Sequence, residues 1–69
     1  MKKLRFAENL KNELKINRMS QESLAKRLGT TQATISRWTT GEYAPDFETL
    51  FLICEILSVS PNELLGWED

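Results

Sequence analysis

Histidine is absent, and cysteine occurs once, at position 54, in a chain of 69 residues. Without an imidazole the commonest proton shuttle and metal ligand is missing, and a lone thiol forms no internal disulfide. Cys54 closes the apolar run Phe51, Leu52, Ile53 and reads as a small core residue of a reducing compartment. The sequence also offers no metal-ligating cluster, no glycine-rich phosphate loop and no nucleophile beside a base. An enzyme is therefore not expected, and neither a cofactor nor a small-molecule ligand is implied. No apolar run approaches the ~18 residues needed to cross a bilayer, and the opening residues carry no secretory pattern, so the expectation is a cytoplasmic protein with no membrane partner. Neither Asn-Gly nor Asp-Gly occurs, and no stretch alternates polar with apolar residues, which argues against strands.

What is present suits one small globular domain spanning 1–69. The chain is 41% hydrophobic and 28% charged, outside the composition that leaves chains disordered. At this length folding buries only ~60% of the surface of the extended chain, so the core must be compact. The formal net charge of -1 hides a segregation: residues 1–40 hold all nine Lys and Arg with three acids, whereas residues 41–69 hold seven acids and no base. One half attracts a polyanion and the other repels it.

Helix punctuation recurs along the whole length. Phe6, Leu10 and Leu14, with Ala7, form one apolar stripe on a helix from about Leu4 to Ile16, with Glu8, Lys11 and Lys15 on its other face. Ser20 is a good N-cap for a second helix, with Met19 placed to staple onto Leu24 and with Leu24, Ala25 and Leu28 facing inward. Gly29 stops it, and Thr31 caps a third helix from Gln32 to about Thr40, whose inward residues by spacing are Ile35 and Trp38. Gly41 ends that helix and Pro45 with Asp46 opens a fourth, which carries the stripe Leu50, Ile53, Cys54 and Leu57. Val59-Ser60-Pro61-Asn62-Glu63-Leu64 then combines a staple residue, an N-cap, a proline at the first helical position and a capping-box glutamate, with Gly66 as terminator. The expected fold class is all-α, five short helices around a single core.

Residues 20–41, SQESLAKRLGTTQATISRWTTG, read as helix, tight turn, helix. Ala25 is small where the two helices cross, Gly29 relieves the turn, and Ile35 anchors the second helix, which leaves its amino-terminal outer face to solvent. Crossing helices of this kind also occur in proteins that touch no DNA. Together, Ser20-Gln21, Leu24-Ala25, Gly29, Thr31-Gln32, Ile35-Ser36-Arg37-Trp38, Gly41, Leu50, Leu57-Ser58-Val59-Ser60 and Leu64-Leu65 resemble the phage-repressor and Cro type of helix-turn-helix, often called the Xre family. The resemblance covers residues 5–66. It implies a lambda-repressor-like five-helix domain that binds double-stranded DNA, usually as a homodimer on an inverted repeat, for transcriptional control, most often as a repressor. Two departures accompany it. An arginine late in helix one and a glutamate late in helix three often pair in this family, and Leu14 and Thr39 stand at those positions. The acidic overall charge is the second, offset by the basic amino-terminal half that the family lays against DNA.

On this resemblance Gln32 is matched to adenine N6 and N7 and Arg37 to guanine O6 and N7, with Ala33 and Thr34 near thymine methyls. Gln21, Thr31, Ser36 and Tyr43 are the expected phosphate contacts, Gln21 aided by the free N–H groups that open its helix. Trp38 is expected in the core. The remaining apolar residues, Leu52 and Ile56 on the far side of helix four together with Val59, Leu65 and Trp67, are the candidate dimer surface. The alternative function is a helix-turn-helix module that binds a protein, such as an antitoxin.

Overall fold

Four side-chain oxygens set where the helices begin. Ser20, Thr31, Asp46 and Ser60 stand in extended backbone, and each accepts a hydrogen bond from the N–H three residues ahead, satisfying a donor that no helical carbonyl reaches. In the computed structural model, which describes residues 5–66, the helices are α1 (Phe6–Ile16), α2 (Gln21–Leu28), α3 (Gln32–Thr39), α4 (Phe47–Leu57) and α5 (Pro61–Leu65), with no strand among those residues. The start expected for α1 at Leu4 lies outside the described residues. Of the pair that opens α4, Asp46 is the cap.

The helix ends share a second device. Arg18, Gly29, Gly41 and Ser58 take positive φ, and the N–H of the next residue reaches back to a carbonyl five positions earlier: Met19 to Leu14, Thr30 to Ala25, Glu42 to Arg37 and Val59 to Cys54. Arg18 and Ser58 adopt this left-handed conformation without being glycine, at φ 52° and 55°. Two asparagines satisfy further orphan carbonyls across the fold. Asn17 Nδ2 donates to Leu57 O of α4 at 3.2 Å, and Asn9 Nδ2 donates to Glu63 O and Leu64 O of α5 at 3.1 and 3.3 Å. The Arg5 N–H donates to Leu65 O at 2.7 Å, so both ends of α1 are tied to the carboxy-terminal helices.

Every helix sends at least one fully buried side chain into a common core: Leu10, Leu24, Ile35, Ile53, Leu57 and Leu64. Each is worth ~1.5–3 kcal/mol of transfer free energy. Leu14, Ala25, Trp38, Leu50 and Cys54 complete the cluster, as the apolar spacing requires, while Phe6, Met19 and Leu28 pack on its edge. Burial pushes the Cys54 thiol up from its ordinary value, which disfavours the thiolate. Among the described residues no helix is long and apolar enough to cross a membrane.

Candidate nucleic-acid interface

The α2 and α3 pair is held from inside by Ile35, Trp38 and Ala25, all buried, and this orientation decides which residues of α3 face outward. Gln32, Ala33 and Arg37 are exposed, and Thr34 and Ser36 are half-buried beside them. The Gln32 amide makes no hydrogen bond to the described chain, so its donor and acceptor remain available for a partner. Thr34 is more constrained: its N–H donates to Thr31 Oγ1 at 3.3 Å, and the two hydroxyls lie 3.1 Å apart.

Arg37 is engaged. Its Nε lies 3.7 Å from Glu42 Oε2, and its guanidinium carbon sits 5.8 Å from the centre of the Tyr43 ring. Tyr43 is 60% exposed and thus reaches solvent as well as Arg37. Glu42 belongs to the acidic half that charge segregation assigns away from a polyanion, yet the turn at Gly41 returns it to the outer face of α3.

Gln21 opens α2 half-buried, and its Nε2 donates to Thr39 Oγ1 at 3.4 Å. Thr39 is buried and donates in turn to Ser36 O at 2.8 Å. Thr39, at the centre of this chain of two bonds, stands at the glutamate position of the arginine–glutamate pair common in the resembled family, while Leu14, at the arginine position, is core. Neutral groups need no charge compensation, and no buried side-chain polar atom of the described residues lacks a partner.

Beside Gln21 runs an open groove of about 490 Å³ between the end of α1 and the start of α2, lined by Lys11, Leu14, Lys15, Arg18, Met19, Ser20 and Gln21. Three cations therefore line the same groove as Ser20 and Gln21, at the start of α2. The sequence places Lys11 and Lys15 on the polar face of α1 and among the nine basic residues of the amino-terminal half, but does not bring them beside Gln21. Their spacing of four, followed by Arg18 at the turn, is the signal that points to a shared basic edge.

The carboxy-terminal candidates divide differently. Leu52 is 50% exposed as expected, whereas Ile56, Val59 and Leu65 are half-buried and pack on the core. Ile56 is therefore not on an open opposite face, because the buried stripe of α4 is wide enough to include its flank. The large apolar side chains that α4 does expose are Phe47 at 79% and Phe51 at 53%, in addition to Leu52. Trp67 lies outside the described residues.

A family model described as helix-turn-helix matches residues 10–64. The chain belongs to the helix-turn-helix family. It is 38% identical over 63 residues to the HTH-type transcriptional regulator YqaE of Bacillus subtilis, covering 91% of this chain and 54% of that protein. Among solved structures, a transcriptional regulator from Listeria innocua superposes with a TM-score of 0.89 at 28% identity, covering 97% of this chain and 63% of the other. The P22 c2 repressor in complex with a synthetic operator superposes with a TM-score of 0.81 at 30% identity, covering 87% and 91%. The same fold also forms about a third of a longer enzyme chain, hydroxypropylphosphonic acid epoxidase of S. wedmorenis, with a TM-score of 0.81 at 33% identity over 87% of this chain and 32% of that one. The chain spans about half the length of YqaE and of the regulator DicA of Escherichia coli.

Proposed function

We propose that this chain binds double-stranded DNA in sequence-specific fashion, with α3 in the major groove, and acts in the cytoplasm as a transcriptional regulator of the repressor kind. The observation that carries the reading is the outward row Gln32, Ala33 and Arg37 on a helix fixed by buried Ile35 and Trp38, next to the basic groove of Lys11, Lys15 and Arg18. The likeness to a repressor bound to its operator supports it over nearly all of that chain's length. Gln32 and Arg37 read bases by paired hydrogen bonds, and Ala33 and the Thr34 methyl make apolar contacts with thymine. Thr31, Ser36, Tyr43 and Gln21 contact phosphates, and the groove cations neutralise the adjoining backbone.

Contrasting variants test the assignment. Arg37→Ala costs ~1–3 kcal/mol on a duplex selected by the wild type from a randomised pool and changes random DNA less. Lys15→Ala weakens both duplexes alike and lowers the salt slope by ~1. A selected sequence unchanged by Arg37→Ala removes that residue from base reading. Lys15 suits this test better than Gln21, whose amide also holds Thr39.

Exposed Phe47, Phe51 and Leu52 favour a protein contact as well. We assign it to a second copy of this chain, with Ile56, Val59 and Leu65 at the margin. A two-fold pair places two α3 helices one turn of DNA apart, ~34 Å, on an inverted repeat. A regulator that acts as an antitoxin through a foreign protein is the competing use of the same surface.

A further inference from the structure

The contact between Glu42 and Arg37 is built by the backbone rather than met by chance on the surface. One carbonyl, that of Arg37, accepts from Glu42 N at 3.0 Å, from Tyr43 N at 3.3 Å and from the Thr40 hydroxyl at 3.0 Å. Gly41 at φ 82° permits the reversal that brings these donors back. The residue that would read guanine thus anchors, through its own main chain, the two side chains that flank its guanidinium: the Glu42 carboxylate beside Nε and the Tyr43 ring beside the planar group.

We propose that Glu42 is a specificity-determining positioning residue, which holds Arg37 Nε so that the Nη1 and Nη2 end of the guanidinium is presented to guanine. The inference rests on the DNA-reading role of Arg37 and adds a residue to it. The guanidinium is planar, with its N–H donors in a rigid fork, so a carboxylate 3.7 Å from Nε and a ring beside the plane bias its orientation and leave the paired terminal N–H groups for O6 and N7. An ion pair with both members more than half exposed adds little to folding stability, so the orientational bias it supplies is of the same modest size. A long side chain held before contact loses less freedom on binding. The carboxylate also repels phosphate, so its presence weakens binding to all DNA while sharpening discrimination. These effects have opposite signs, and that opposition is the signature of the proposal.

The test uses wild type, Glu42→Gln, Arg37→Ala and the double variant, titrated by fluorescence anisotropy against two duplexes. One is selected by the wild type from a randomised pool, the other is random. Glu42→Gln is expected to bind random duplex more tightly and to show a selected-to-random ratio reduced roughly three- to tenfold. The loss should concentrate at the base pair whose preference Arg37→Ala abolishes, and should vanish in the Arg37→Ala background. Glu42→Gln tightening both duplexes equally, with its ratio intact, overturns the positioning role and leaves only a repelling charge. A ratio unchanged by Arg37→Ala overturns the base-reading assignment itself, a separate failure seen without reference to Glu42.

Discussion

At Asp46 the Thr49 hydroxyl, and then the Thr49 N–H at 2.8 Å, stabilise the ionised carboxyl and hold it below its ordinary value of 3.8. A group whose folded value is lowered stabilises the fold above its unfolded value and loses that contribution as pH falls through the folded one. Asp46→Ala is accordingly less stable than wild type at neutral pH, and the gap narrows as pH drops below 3.8. Urea unfolding at neutral pH and at ~pH 2 checks this, and an undiminished gap contradicts it. Residues at this scale were legible when their task is local. Ser20, Thr31 and Ser60 cap through bonds three residues long, and Trp38 points inward by spacing from Ile35. Asn9, Asn17 and Glu42 were not, because their partners lie on other elements or on a turn that must first fold back.

Helices are stopped here by conformation more than by residue type. Gly29 sits at φ 71° with open space where a Cβ would project, so Gly29→Ala meets no neighbour and should cost only the left-handed penalty, ~1 kcal/mol. Ser58 is in the same conformation and already bears that penalty, so Ser58→Gly should recover a similar amount, up to ~1 kcal/mol, by thermal unfolding. Changes of the same sign in the two variants contradict this account of the helix ends. The glycine stops at positions 29, 41 and 66 could be read from the sequence because glycine advertises positive φ. Arg18 and Ser58 carry no such mark, and their turns become visible only through the backward bonds of Met19 and Val59. For α4 the inward stripe was legible, but its outward side was not: Ile56 rests on the core while Phe47 and Phe51 project, a result of where the other helices leave room.

For the whole molecule, five helices place a basic groove and the outer face of α3 on the amino-terminal part of the fold, and an apolar, base-free surface on α4. In the proposed dimer the second surface supplies the two-fold pairing. Leu52→Asp adds a charge at an exposed site without opening the core, unlike a substitution at half-buried Ile56. Sedimentation of the variant on an inverted-repeat duplex should show one chain bound where wild type shows two, with each half-site still occupied at higher protein concentration. Two cooperatively bound chains in the variant contradict the use of this surface. The amino-terminal surface is proposed to bind DNA and to read its sequence. This is tested most directly by measuring wild-type affinity for a selected and a random duplex across a range of salt. Log K should fall linearly with log salt on both, by ~0.9 for each phosphate neutralised, with the selected duplex bound at least ~10³-fold more tightly. Affinity insensitive to salt, or equal for the two duplexes, contradicts it.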